Sequence, residues 1–140
     1  KQERKKPSNT SGWNLTDGGR KEAGFLGSTG DCAARALAIA HDMPYVDAYK
    51  LCAQANKNAG GSKSVRRGIM KNIYHKVLKE LGYEWHPAPK YDGRKARPRD
   101  FKKDGIIIAR QARHFVAVVD GVCFDTFDSA NKMVYGYWKK

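Results

Sequence analysis

The chain has 140 residues, of which 41% are hydrophobic, and 27 Lys and Arg against 14 Asp and Glu give it a formal net charge of +13. This length corresponds to about one domain, large enough to bury a core without disulfides or a metal. No apolar run approaches the roughly 18 residues that cross a bilayer, and no signal-peptide pattern is present, so we expect no membrane segment and a cytoplasmic location.

The N-terminal part combines a polar tail with a first helix. Residues 1–12 are polar and basic without periodicity, which predicts a flexible basic tail followed by a single domain over 13–140. Residues 13–24 are rich in Gly and are expected to form turns. The alanine-rich run 33–40 predicts a buried helix with Asp31 as its N-cap.

Two further helices are predicted in the middle of the chain. Pro44 favours a helix start, and the spacing of apolar residues over 44–56 places Cys52 in the core. Residues 64–82 have an amphipathic pattern with Ile69 in the apolar stripe. The sequence therefore predicts three helices before the C-terminal third.

The C-terminal part changes to β-structure. A short strand is expected at 83–86 and a basic loop over 87–104, followed by the β-branched and aromatic runs GIIIAR, HFVAVV, VCFDTF and MVYGYW. Asp120-Gly121 predicts a two-residue hairpin turn. Helices followed by strands favour an α+β fold, with the helices packed on an antiparallel meander.

The predicted hairpin relates a histidine to an aspartate. If Asp120 and Gly121 form the turn, alternation along the two strands places His114 and Asp125 on one face of the sheet. Their Cβ atoms are then about 7 Å apart or less, which lets a carboxylate orient an imidazole. Asp128 falls on the opposite face and is the alternative orienter if a bulge intervenes.

A cysteine begins the first predicted helix. Cys32 is either one more buried thiol or a nucleophile at the positive end of a helix dipole. The combination of a Cys at a helix start, a His at a strand start and an Asp across the hairpin favours the second interpretation.

The same features resemble known cysteine enzymes. The order Cys…His…Asp, with the Cys opening a buried helix and the other two on adjoining strands, resembles the papain-like cysteine peptidase fold. The GDC start is similar to the leader-processing bacteriocin peptidases, and the His-strand-DG-strand-Asp run to transglutaminase-like proteins. TDGGR, GDCAARALAIA, HFVAVVDGVCFDTFD and VYGYW also resemble a group of uncharacterised bacterial and phage proteins, which implies the host cytoplasm if the chain is phage-encoded.

This resemblance implies roles for individual residues. Cys32 is the implied nucleophile, His114 the general base and acid, and Asp125 the group that orients the imidazole. The implied enzyme is a cysteine hydrolase, a peptidase or isopeptidase that cleaves an amide bond through a thioester acyl-enzyme.

The oxyanion hole departs from the family pattern. Its first donor is the backbone N–H of Cys32. Papain-like peptidases usually supply a Gln or Asn shortly before the cysteine, whereas Leu26 lies six residues before Cys32. Candidates for the second donor are Ser28, Thr29, Asn14 and a further backbone N–H.

Metal and cofactor chemistry is not expected. The three cysteines and four histidines have no metal-ligand spacing, so the sequence predicts neither a structural metal nor a cofactor. The cysteines are expected to be reduced thiols.

Two alternatives remain open. The same triad serves acyl transfer to an amine or deamidation of a glutamine, as in transglutaminases and deamidases. The other is a non-catalytic basic binding module on the same fold, because residues 57–113 hold 16 Lys and Arg against 5 Asp and Glu. In this interpretation the groups that stack on bases are aromatic residues interleaved with the basic ones: Tyr74, Trp85, Tyr91 and Phe101.

The expected partner is a peptide or protein substrate, acidic if the basic loop recruits it, with nucleic acid second. We expect the basic loop to form a rim or lid over the cleft. The candidate partner-binding residues are Arg66, Arg67, Arg94, Lys95, Arg97 and Arg99.

Overall fold

The computed structural model has a mixed α+β fold and describes residues 12–24, 31–61, 68–91 and 93–140. Its α-helices are α1 (Cys32–Ala40), α2 (Tyr45–Asn58) and α3 (Lys71–Glu80), and a 3-10 helix covers Pro98–Asp104. The strands are β1 (Trp13–Leu15), β2 (Glu84–Pro87), β3 (Lys90–Tyr91), β4 (Arg94–Lys95), β5 (Ile106–Gln111), β6 (His114–Val119), β7 (Val122–Asp125) and β8 (Gly136–Lys139). The predicted α+β class is confirmed.

The main sheet has the strand order β1-β7-β6-β5-β8-β2. Four of its five pairings are antiparallel, and β1 pairs with β7 in parallel. The prediction of turns alone over 13–24 therefore missed a strand. The meander ends at β7, because β8 crosses back to pair with β5 instead of continuing from β7. The sheet is mixed, so the prediction of an entirely antiparallel sheet was wrong.

The β6–β7 hairpin has the predicted turn and register. Asp120 and Gly121 have φ angles of 52° and 83°, the left-handed conformation that a two-residue type I′ turn requires at both positions. Val119 lies opposite Val122, as expected from that turn. The hairpin thus fixes where the residues at its open end emerge.

The helices lie on one face of the sheet. All nine residues of α1 are buried, and the hydroxyl of Tyr74 on α3 donates a hydrogen bond of 2.7 Å to the carbonyl of Ala33. On the opposite face the 3-10 helix buries Phe101 in a second core with Val116 and Val118. The sheet is therefore covered on both sides, and α1 is held between the sheet and the other helices.

The third helix is shorter than the sequence pattern suggests. It begins at Lys71, after Met70 in an extended conformation, and Gly68 has a φ of 107° that no right-handed helix tolerates. Ile69, expected on the helical stripe, precedes the helix. The start of the predicted 64–82 helix lies outside the described residues, as does the predicted tail up to residue 11.

Candidate active site

Cys32, His114 and Asp125 form one hydrogen-bonded chain. The Nε2 of His114 is 2.6 Å from the Oδ2 of Asp125. The thiol of Cys32 is hydrogen-bonded to the His114 side chain and to the backbone N–H of Phe115. All three side chains are nearly buried, with residue exposures of 9%, 6% and 3%. The structure thus brings together the three residues that the sequence singled out.

The environment of Cys32 and His114 favours charge separation. Burial raises the pKa of the Cys32 thiol, but the hydrogen bond and charge of His114 outweigh burial and hold that pKa below its usual value. Burial lowers the pKa of the imidazole, yet hydrogen bonds to Asp125 and Cys32 raise it to about 9. A thiolate beside an imidazolium is the arrangement that these opposite shifts support.

The other two cysteines differ from Cys32. Burial raises the pKa of Cys52 and that of Cys123 to about 12. Both are thus expected to remain thiols at neutral pH, whereas Cys32 has a partner that stabilises its thiolate.

Asp125 is held in place by its neighbours. Its Oδ2 accepts a hydrogen bond of 2.8 Å from the Ser129 hydroxyl, and its Oδ1 accepts one of 2.8 Å from the Thr126 N–H. Burial raises the pKa of Asp125, but His114 more than offsets this and holds the pKa below its usual range. Asp128, the alternative orienter, is exposed and accepts a hydrogen bond from the Ala130 N–H instead.

A buried charged pair on α1 supports the site. Asp31 makes no N-cap hydrogen bond with its side chain, contrary to expectation. Its carboxylate instead binds the Arg35 guanidinium and the Tyr45 hydroxyl, and lies 3.2 Å from the Nε of Arg20. Arg35 also reaches the Oδ1 of Asp125 at 3.4 Å. Arg35 therefore links the start of the Cys32 helix to the aspartate that binds His114.

The sequence contains a signal for this pair, which the expected N-cap role of Asp31 left out of account. Arg35 is the one charged residue in an otherwise apolar helix, and a buried guanidinium requires a carboxylate partner. Asp31 lies four residues earlier, on the same side of the helix. That spacing predicts the pair more directly than it predicts a cap.

The candidate residues open onto a cleft of about 640 Å³, called the Cys32 cleft below. Cys32 and His114 line it together with the start of α3 and the turn between β5 and β6. Phe115 and Phe127 contribute its aromatic side chains. The described cationic residues that also line it are Arg35, Lys71, Arg110 and Arg113. A substrate in this cleft would therefore meet positive charge next to Cys32.

The candidate oxyanion donors are not all placed by the structure. Ser28 and Thr29 lie outside the described residues. Asn14 lies on β1 opposite Phe124 and is not among the described residues that line the Cys32 cleft. The backbone N–H of Cys32 lies at the first position of α1, next to the thiol, and stays the candidate for the first oxyanion donor.

The basic loop does not cover the Cys32 cleft. Arg94 forms two hydrogen bonds of 2.8 Å with Asp100, and Arg97 donates to the carbonyl of Asn131. The segment packs through the 3-10 helix on the sheet face opposite the helices. The expected rim or lid is therefore not formed by its described residues. Lys95 and Arg99 are exposed outside the cleft, and Arg66 and Arg67 lie outside the described residues.

The aromatic residues of the basic segment serve mainly as core. Tyr74 and Phe101 are 0% and 1% exposed. Trp85 is half-buried and packs on Trp138, with ring centroids 4.7 Å apart. The structure thus gives Tyr74 and Phe101 no surface for stacking on bases. The side chain of Tyr91 is outside the described set.

The described residues offer neither a metal site nor a membrane-spanning helix. No group of three or more His, Cys, Asp or Glu residues there is arranged to hold a metal ion. None of the helices there is long and apolar enough to cross a bilayer. A comparison with protein-family models, with curated proteins and with solved structures found no match.

Proposed function

We propose that the protein is a cysteine hydrolase of papain-like architecture that cleaves a peptide or isopeptide bond. The hydrogen-bonded chain from Cys32 through His114 to Asp125, at the mouth of a cleft, is the observation that carries this proposal. The chain pairs a nucleophile with a base, and the base with an orienting carboxylate, which is the arrangement that nucleophilic catalysis requires.

The reaction divides into two steps. The Cys32 thiolate attacks the amide carbonyl carbon, the C–N bond breaks, and the His114 imidazolium gives its proton to the leaving amine. Water then attacks the thioester while His114 takes its proton. The carboxylic acid leaves and Cys32 is again a thiolate. The backbone N–H of Cys32 donates to the oxyanion in both steps, and Asp125 holds the imidazole through Nε2.

Site-resolved labelling with iodoacetamide tests the thiolate. We expect Cys32 to label below the ordinary thiol pKa of about 8.5, and Cys52 and Cys123 to resist until the chain unfolds. In His114→Ala the labelling of Cys32 near neutral pH falls by about tenfold or more and its midpoint moves up. His86→Gln is the control for loss of an unrelated histidine. A Cys32 that labels only on unfolding contradicts the proposal.

A second experiment identifies the reaction. The full chain is incubated with a peptide mixture and a primary amine, and products are followed by mass spectrometry. Cleaved peptides with a Cys32 acyl adduct support hydrolysis. Peptides coupled to the amine, or glutamines converted to glutamates, identify acyl transfer or deamidation instead. Cys32→Ala should lower product formation by about 10³-fold or more. Selective Cys32 labelling without any acyl product contradicts the assigned reaction.

A further inference from the structure

We propose that the Cys32 cleft selects an acidic peptide, with carboxylates a residue or two from the reacting amide bond. The inference rests on the proposed function, because it names the substrate class of the same site. It is carried by the charges that line the cleft and by the elements that present them.

Three of the cations that line the cleft have no carboxylate partner among the described residues. Arg35 is neutralised by Asp31 and Asp125. Lys71, Arg110 and Arg113 have no ion pair with a carboxylate in the described part of the chain, and none of the lining residues there is Asp or Glu. An excess of positive charge inside a cleft raises the local concentration of anionic ligands.

The arginines lie next to the reacting groups. Arg110 on β5 pairs with Phe115 on β6, and its guanidinium lies 4.7 Å from the centroid of the Phe115 ring. The backbone N–H of Phe115 in turn bonds Cys32. Arg113 directly precedes His114 in the turn. Substrate carboxylates bound by these residues are therefore near the bond that Cys32 attacks.

The third cation approaches from the helix side. The Nζ of Lys71 at the start of α3 lies 3.9 Å from the centroid of the Trp85 ring. This contact holds the ammonium without neutralising it. The planar guanidinium of an arginine binds a carboxylate through two hydrogen bonds, and the ammonium of a lysine attracts a carboxylate as a compact charge. Together the three cations match a segment that carries more than one carboxylate.

The aromatic residues of the cleft favour a peptide over a nucleic acid. Phe115 is buried, with a residue exposure of 3%, under Arg110. The Phe127 ring lies 5.0 Å from the His114 ring and has the Lys132 ammonium 5.1 Å from its centroid. Binding of single-stranded nucleic acid requires open aromatic faces on which bases stack. Phe115 therefore offers no open face, and Phe127, which is 41% exposed, is a single ring, whereas the stacking of successive bases uses several.

Two alkylating reagents that differ in charge test the inference directly. Iodoacetate and iodoacetamide both alkylate the Cys32 sulfur: a C–S bond forms, the C–I bond breaks and iodide leaves, but only iodoacetate carries a carboxylate. The readout is the ratio of the two rates at Cys32. In the double variant Arg110→Gln, Arg113→Gln we expect the iodoacetate preference to fall by about threefold or more. In the wild type the preference for iodoacetate should also decrease when salt is added.

A matched variant controls for overall charge. Lys79→Gln, Lys103→Gln removes the same number of charges at exposed positions outside the cleft, and its ratio should equal that of wild type. A ratio that changes equally in both double variants, or in neither, overturns the inference. If iodoacetamide does not label Cys32 selectively in the wild type, the proposed function itself is contradicted. Failure of the substrate inference and failure of the proposed function therefore give different results.

Competition separates peptide from nucleic acid. A glutamate-rich peptide and a single-stranded oligonucleotide of equal charge are compared for protection of Cys32 against iodoacetamide. We expect the peptide to protect at lower concentration, and the Arg110→Gln, Arg113→Gln variant to lose this protection. Better protection by the oligonucleotide overturns the assignment in favour of nucleic acid. If the same peptide with glutamine in place of each glutamate protects Cys32 equally well, recognition of carboxylates is overturned.

Discussion

The side chains around Cys32 alternate in charge, and this alternation makes their burial tolerable. The series runs Arg20, Asp31, Arg35, Asp125, His114 and Cys32, each member in contact with the next. Each charge removed from water is thereby compensated by a neighbour of opposite sign. Removal of one member leaves its neighbours buried and uncompensated, so the series couples the stability of α1 to the orientation of His114.

Replacement of Arg35 tests this coupling. Arg35→Gln leaves two carboxylates without their guanidinium, and we expect it to lower the free energy of unfolding by about 3 kcal/mol or more. The control is Arg94→Gln, whose ion pair with Asp100 is more exposed and should contribute about 1 kcal/mol or less. Urea unfolding at neutral pH measures both. Similar small losses in the two variants would contradict a role for buried charge.

Arg35→Gln also has a readout that a purely structural role would not change. Without the guanidinium, Asp125 keeps its hydrogen bonds from Ser129 and Thr126 but loses a fixed positive neighbour. The labelling midpoint of Cys32 in the folded variant should therefore move, because the network that sets the charge of His114 is altered. An unchanged midpoint would limit Arg35 to stability alone.

At the scale of elements, local patterns predict local pairings. Asp120-Gly121 predicted both the turn and the shared face of His114 and Asp125, since side chains alternate strictly along a hairpin. The parallel pairing of β1 with β7 and the return of β8 to β5 are contacts between distant segments. No short motif specifies such contacts, because they depend on which sheet edges the finished core leaves open. The cationic lining of the Cys32 cleft was not predicted for the same reason, because its residues come from segments that are distant in the sequence.

A glycine on β8 shows how tightly these distant elements pack. An alanine Cβ at Gly136 would lie 2.2 Å from atoms of the Trp85 ring on β2. We expect Gly136→Ala to cost about 1–3 kcal/mol of unfolding free energy, because the indole must move. In a Trp85→Leu background the same substitution should cost less, and a double-mutant cycle measures the difference. Additive costs would mean that the close approach does not limit the packing of β8.

At the scale of the whole molecule, the basic character divides into two kinds of charge. Arg94 and Arg97 lie on the sheet face opposite the helices and are used in contacts within the chain. Arg110 and Arg113 border the Cys32 cleft, where none of the described lining residues is an Asp or Glu. A net charge of +13 alone does not distinguish these groups. Their positions in the fold give Arg94 and Arg97 contacts within the chain, and our proposal gives Arg110 and Arg113 the substrate carboxylates.

The thiolate and the imidazolium also affect the stability of the whole molecule, with opposite dependence on pH. The pKa of His114 is about 9 in the folded chain against about 6.5 when unfolded, so its contribution is complete below about pH 6.5 and is lost as pH rises toward 9. Folding lowers the pKa of Cys32, so its contribution grows with pH up to the unfolded value. The two slopes offset each other, and the wild type should change little between about pH 7 and 8.5.

Cys32→Ser separates the two contributions. The variant has no thiolate, while His114 keeps its hydrogen bond to Asp125. Its free energy of unfolding should therefore fall as pH rises from about 7 to 8.5, by at most about 1.4 kcal/mol per pH unit. His114→Gln lacks the titrating imidazole and should show no such fall. Urea unfolding across this range measures all three proteins. Flat profiles for both the wild type and Cys32→Ser would contradict this prediction and would mean that Asp125, without the Cys32 thiolate, does not keep His114 protonated in this range.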